Sequence, residues 1–88
     1  MKKYYMSEDE ARKKAENLLK SYVHDLCKKN KIEYMVLETD EVDDGMNKLI
    51  HAYYTYPLDS DYVKKCESNL KDAVDQYFFY ILSLIRGN

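Results

Sequence analysis

The scarcity of chain-breaking residues constrains this sequence most, because only two glycines and one proline occur among its 88 residues. Turns and loops draw heavily on these two residue types. Few residues are therefore available for loops, and the secondary-structure elements must be long. A chain of this length forms one domain, so we predict a single domain over residues 1–88 that begins with a tail at residues 1–6.

The first long element is a helix that begins after Ser7. The hydroxyl of Ser7 and the carboxylate of Glu10 have the spacing of a capping box, and three acids in the first turn suit the helix dipole. Lys28 and Lys29 suit the opposite end. We predict a helix over residues 8–29. Its apolar residues recur with the helical period: Ala11, Ala15, Leu18, Leu19, Tyr22, Val23 and Leu26.

The middle of the chain has the residue types of a β-hairpin. Residues 32–39 are rich in β-branched and aromatic side chains and too few for another helix. Asp44 followed by Gly45 suits a tight turn, and residues 46–56 form a second short apolar segment that Pro57 closes. We predict strands at residues 32–39 and 46–56. Their alternation leaves the pairing register open.

A second long helix completes the chain. Ser60 and Asp61 suit its start, apolar residues then follow the helical period, and Gly87 suits the C-cap. We predict this helix over residues 61–86. The expected fold is therefore α+β with the order α-β-β-α, in which two long amphipathic helices pack on an antiparallel β-hairpin.

Two features of this predicted fold favour a homodimer. A two-stranded hairpin is rarely stable alone, and pairing of two copies would complete a four-stranded sheet. On the second helix, Phe79 lies opposite the apolar face with Phe78 and Leu82 beside it, so these three residues are the predicted dimer interface. The alternative is a monomer in which the second helix crosses between the first helix and the sheet.

The charges are unevenly distributed, although the net charge is only −2. Residues 32–61 contain one Lys and eight Asp or Glu. These acids either balance basic segments of the same chain or face a basic partner. Tyrosine is common at binding hot spots, and three tyrosines crowd the second strand. We predict a partner-binding surface made of Tyr53, Tyr54, Tyr56, Asp40, Glu41, Asp43 and Asp44.

These features predict a small non-enzymatic module that occupies a basic surface of a larger protein. An acidic inhibitor or regulator of a nucleic-acid-handling protein is one version, and inhibitors that phages encode against host defences are analogous in size and character. No motif identifies a family. The alternative is direct nucleic-acid binding by the basic face of the first helix and the hairpin tyrosines, although a pI of about 5.6 disfavours it.

Candidate metal ligands and nucleophiles are sparse. His24, Cys27, His51 and Cys66 lack the paired spacing of zinc sites, and a glycine-rich phosphate loop is missing. We predict no enzyme activity, no metal and no cofactor. Two cysteines suggest free thiols in a reducing cytoplasm, no signal peptide is recognised, and no apolar segment is long enough to span a membrane.

Overall fold

The computed structural model describes residues 5–87, and within this range the chain forms three helices and no strand. Helix α1 spans Glu8–Lys29, α2 spans Asp40–Thr55 and α3 spans Asp61–Arg86. Residues 30–39 form a linker between α1 and α2. The prediction of an α+β fold with a β-hairpin is therefore wrong. Most of the predicted tail at residues 1–6 lies outside the described residues.

Helix α1 occupies the predicted range and is capped at both ends. The Ser7 hydroxyl accepts a hydrogen bond from the Glu10 backbone N–H at 3.1 Å. At the other end, the Ile32 and Lys31 N–H groups donate to the carbonyls of Cys27 and Lys28. These two bonds form a Schellman motif. Lys31 occupies its left-handed position with φ 58°, where glycine is the usual residue.

Helix α2 replaces both the predicted turn and the predicted second strand. Thr39 is its N-cap and accepts from the Val42 N–H at 3.1 Å, while acids in the first turn complement the helix dipole. The alternation seen in residues 46–56 is part of a longer helical pattern that already begins at Val42. The buried residues of α2 follow that pattern: Val42, Leu49, Ile50, Ala52 and Tyr53.

The predicted first strand, residues 32–39, lies within the linker and has no strand to pair with, since its expected partner is helical. From Tyr34 to Thr39 the linker nevertheless keeps a two-residue alternation of burial. Met35 and Leu37 are half-buried, whereas Tyr34 and Val36, which precede them, are exposed. Its local sequence therefore favours an extended chain, but the fold supplies no neighbouring strand.

The order of contacts fixes the helix directions. Tyr22 of α1 contacts Asp75 of α3, and further along both helices the Asn30 carbonyl accepts from Arg86, so α1 and α3 run parallel. Helix α2 runs antiparallel to α3, because Gly45 faces Leu70 whereas the later Tyr56 contacts the earlier Tyr62. The main core lies among the three helices and contains the following fully buried residues: Ala11, Ala15, Val42, Leu49, Ala52, Tyr53, Val63, Leu70 and Val74.

Helix α3 extends beyond α2, and the molecule is elongated, with extents of 55 × 20 × 18 Å. Its five buried residues from Cys66 onward are four positions apart: Cys66, Leu70, Val74, Phe78 and Leu82. Each such step rotates about 40° around the helix, so the buried face turns progressively. Near the end of α3 it meets α1 and the linker, where Phe78 and Leu82 pack on Cys27, Ile32 and Met35.

Candidate functional site

The predicted dimer interface is divided between the interior and the surface. Phe78 and Leu82 are buried against Cys27, whereas Phe79 is 48% exposed and contacts the Phe78 ring edge-on at 5.4 Å between centroids. The expectation of an exposed Phe78 and Leu82 assumed one fixed buried face along all of α3. Because that face rotates, only Phe79 of the three remains on the surface.

The three predicted anchor tyrosines do not form one surface. Tyr53 is 1% exposed, and its hydroxyl donates to Glu67 at 2.7 Å. Burial and this hydrogen bond raise the pKa of Tyr53. Tyr54 is half-buried with its ring edge-on to His51, and Tyr56 is exposed in contact with Tyr62. A helix points successive side chains in different directions, whereas the predicted strand would have alternated them between two faces.

The four predicted acids do lie together, at the start of α2, and all are exposed. Asp40, Glu41 and Asp43 occupy the first turn, where they stabilise the helix dipole. Asp44 forms an ion pair with Lys48 at 2.9 Å, which raises the pKa of Lys48. The acids are separated from Tyr53 and Tyr56 by most of the length of α2, so the predicted joint surface is not formed.

A different apolar surface lies on α3, and we call it the α3 outer stripe. It consists of Ala73, Tyr77, Tyr80 and Leu84, which are four, three and four residues apart and therefore share one side of the helix. Tyr80 and Leu84 are each 59% exposed. The four-three-four spacing, which is typical of helix-pairing seams, was the signal that could have identified this stripe.

The α3 outer stripe adjoins the acidic start of α2. A hollow of about 220 Å³ lies between Thr39 and Glu41 on one side and Ala73, Tyr77 and Tyr80 on the other. A carboxylate therefore borders two aromatic rings. Beyond the hollow, residues 76–86 carry a single charge, at Arg86, and Ile85 next to Leu84 is 65% exposed.

The candidate ligands of a metal ion are placed apart. Cys27 lies in the small cluster around Phe78, and Cys66 lies in the main core. Over residues 5–87, no three His, Cys, Asp or Glu side chains come close enough to hold a metal ion. In the same range, none of the helices combines the length and hydrophobicity needed to cross a bilayer.

No protein-family model, no curated protein and no solved structure matches this chain, so its function has to be argued from its own surface.

Proposed function

We propose that this chain is a protein-binding module that docks the α3 outer stripe onto an amphipathic helix of a larger protein. The observation that carries this proposal is the pair of exposed apolar side chains, Tyr80 and Leu84, which continue the half-buried Ala73 and Tyr77 along one side of α3. Their four-three-four spacing is that of residues that pack against a second helix. A partner helix would therefore complete the burial of α3 that α2 is too short to provide.

The size of the exposed surface supports docking. Tyr80 and Leu84 are each 59% exposed and the neighbouring Ile85 is 65% exposed, and adjoining exposed apolar side chains often mark a functional surface. Tyr80 contributes an aromatic ring with few rotatable bonds, which loses little entropy when a partner fixes it. Scattered exposed apolar residues such as Leu58 need no such explanation.

The charge beside the stripe supports a basic partner. Glu41 borders Tyr77 and Tyr80, and it forms no ion pair within residues 5–87. Carboxylates at the edge of an apolar contact speed association and select partners with Lys or Arg at matching positions. Basic surfaces are common on nucleic-acid-handling proteins. An inhibitor or regulator that covers such a surface is the role we propose.

The predicted homodimer remains a prediction, and it would use the same region of α3. Phe79 and the α3 outer stripe of one copy would then pack on those of a second copy. Light scattering over a range of concentrations distinguishes this case, because a dimer would dissociate on dilution and would be weakened by Tyr80→Ala with Leu84→Ala.

The alternative role, direct nucleic-acid binding, required base-stacking tyrosines on a hairpin, and residues 5–87 form no hairpin. Tyr53 in particular is inside the core. The exposed basic residues on α1 remain, but no described contact favours this role over a solvated helix surface.

The test compares three versions of the chain in affinity capture from host extract, followed by calorimetry with each recovered partner. The double variant Tyr80→Ala with Leu84→Ala should lose affinity by at least about tenfold, because it removes a tyrosine anchor together with the apolar contact area beside it. Leu58→Ala is the matched control, since Leu58 is 47% exposed in the loop before α3. It should bind as the unchanged chain does.

The proposal is wrong if every recovered partner binds the double variant and the unchanged chain with equal affinity. It also fails if no protein is retained by the unchanged chain above the background of the double variant. Both variants should keep the thermal unfolding temperature of the unchanged chain, because the altered side chains are exposed. A loss of binding therefore reports on the surface and not on the fold.

A second measurement tests the charge. Glu41→Gln should weaken partner binding and reduce its dependence on salt. The control is Asp59→Asn, which removes another exposed carboxylate in the loop between α2 and α3 and should leave both the affinity and its salt dependence unchanged. Equal salt dependence for the unchanged chain and Glu41→Gln would show that this carboxylate does not face the partner.

A further inference from the structure

A second surface is a groove between the linker and α1, which we call the linker groove. Its volume is about 460 Å³, which is in the range of binding pockets. Leu19, Val23 and Cys27 form the α1 wall, and Met35 and Leu37 form much of the linker wall. The groove shares no lining residue with the hollow beside Tyr80.

The linker backbone that borders this groove is unpaired. The Ile32 N–H bonds to the Cys27 carbonyl, and the Thr39 carbonyl accepts from the Asp43 N–H. Between these two residues, the backbone of residues 33–38 makes no hydrogen bond to any part of the chain that the structure describes. An extended chain with free N–H and C=O groups can accept a further strand.

The sequence and the fold disagree at this segment. Residues 32–39 have the composition of a strand, and from Tyr34 to Thr39 their side chains alternate between exposed and half-buried, as in a sheet. The fold provides no partner strand. Conflicts between local preference and fold are expected at functional sites, and a strand supplied by another molecule would resolve this one.

The charges at the two ends of the groove are opposite. Lys20 lines the groove beside Leu19, which packs on the main core together with Leu37. Glu33 lines it beside Ile32, which packs on the cluster at the end of α3. Neither charge forms an ion pair within residues 5–87. The complementary ligand is extended, carries apolar side chains at alternate positions, and has an acid near Lys20 and a base near Glu33.

We propose that the linker groove binds an extended peptide segment of a partner protein by strand addition to residues 33–38. The peptide backbone pairs with the free groups of the linker, and its alternate side chains enter the apolar groove against α1. Addition of an extended peptide as a strand, with main-chain hydrogen bonds giving affinity and pockets for alternate side chains giving specificity, is a known mode of peptide recognition. The proposal goes beyond the docking role of the α3 outer stripe and does not depend on it.

The test uses two short capped peptides in which valine alternates with threonine. One has glutamate at the amino end and lysine at the carboxyl end, and the other has these two charges exchanged. Binding is followed at millimolar peptide by the amide NMR spectrum and by hydrogen exchange. We expect alternate amides within residues 33–38 to gain protection from exchange, because a strand bonds every second N–H of its neighbour.

Charge reversal in the protein provides the specificity control. For the double variant Lys20→Glu with Glu33→Lys, the preference between the two peptides should invert, by roughly threefold to tenfold for two exposed charge pairs. Both residues are exposed, so the fold is retained. The variant Tyr80→Ala with Leu84→Ala should bind the preferred peptide as the unchanged chain does.

Three results would overturn the proposal. The first is an absence of amide protection in residues 33–38 with either peptide. The second is a peptide preference that charge reversal leaves unchanged. The third is protection of these amides that grows with protein concentration in the absence of peptide, which would assign the linker edge to a second copy of this chain.

Discussion

Two tyrosine hydroxyls connect α3 to the other helices. Tyr22 of α1 donates to Asp75 at 2.6 Å, and Tyr53 of α2 donates to Glu67 at 2.7 Å. The hydrogen bond to Asp75, followed by partial burial, raises the pKa of Tyr22 to about 12. The pKa of Tyr53 is raised as well, chiefly by burial. These two tyrosines thus serve the packing of the helices, which composition alone does not reveal.

Removing the Tyr53 hydroxyl should destabilise the fold. We expect Tyr53→Phe to lower the free energy of unfolding by about 1–2 kcal/mol, since a hydrogen bond to a carboxylate is lost while the ring remains packed. Urea unfolding measures this change. Tyr80→Phe, which alters an exposed ring, is the control and should have no effect. Equal stability of Tyr53→Phe and the unchanged chain would show that the Glu67 contact contributes nothing.

Alkaline pH should destabilise the chain through the same tyrosines. Their pKa values are raised above the ordinary 10.0 in the folded chain, so the folded state holds protons that the unfolded state releases. Their contribution is fully present below pH 10 and declines as the pH rises toward 12, by about 1.4 kcal/mol per pH unit for each group. The free energy of unfolding, measured at pH 9 and at about pH 11, should decline less for Tyr22→Phe than for the unchanged chain. If Tyr22→Phe and the unchanged chain lost unfolding free energy equally over this pH range, Tyr22 would not have a raised pKa in the folded chain.

Lys31 is a strained residue at the end of α1. Its φ of 58° is in the left-handed region, which costs a non-glycine residue roughly 1 kcal/mol. Lys31→Gly should therefore stabilise the chain by up to about 1 kcal/mol, whereas Lys28→Gly, inside the last turn, should destabilise it by a similar amount. Thermal unfolding of the two variants tests this. Destabilisation by Lys31→Gly would mean that the side chain has a role beyond the cap.

At the scale of the elements, Gly45 decides how closely α2 approaches α3. A Cβ at this position would lie 3.2 Å from Leu70 Cδ1 and 3.6 Å from its Cα. The sequence interpretation assigned this glycine to a hairpin turn. The structure instead uses its small size for close helix packing.

Substitution of Gly45 should depend on the size of the new side chain. Gly45→Val should cost about 1–3 kcal/mol through overpacking, whereas in Gly45→Ala the gain in helix propensity offsets a mild contact with a flexible side chain. Asn47→Val, on the exposed side of α2, controls for the preference of valine against helices. If Gly45→Val and Asn47→Val had equal unfolding free energies, α2 would not be closely packed at Gly45.

How much of each element could be predicted depends on the length of its pattern. The ranges of α1 and α3 follow from capping residues and from apolar periodicity over several turns, and both match the predicted ranges. Residues 46–56 are ambiguous on their own, because a short apolar stretch fits either period. Thr39 followed by three acids was a helix start signal, and the apparent turn at Gly45 concealed it.

The site was less predictable than the fold, because it depends on which helix covers which part of α3. A wheel projection assumes one buried face over all 26 residues of α3. The actual face rotates from α2 toward α1 and the linker, so Phe78 enters the core while Leu84 leaves it. Such rotation follows from the relative lengths and directions of the helices, which no local pattern contains.

At the scale of the whole molecule, unequal helix lengths create the proposed binding surface. Helix α2 has 16 residues and α3 has 26, so α2 covers only one part of α3. Another part is covered, on one side only, by the linker and the end of α1. The α3 outer stripe is the apolar side that remains. The acidic start of α2 lies beside it, which joins apolar and charged contacts in one surface.

The most direct test of this account is the NMR spectrum of methyl groups when a captured partner is added. We predict that the Leu84 and Ile85 methyl resonances shift or broaden on binding, while those of Leu58, which is also exposed and lies in the loop before the other end of α3, stay unchanged. If the Leu58 resonances shift and those of Leu84 and Ile85 do not, the partner binds elsewhere and the α3 outer stripe is not the docking surface.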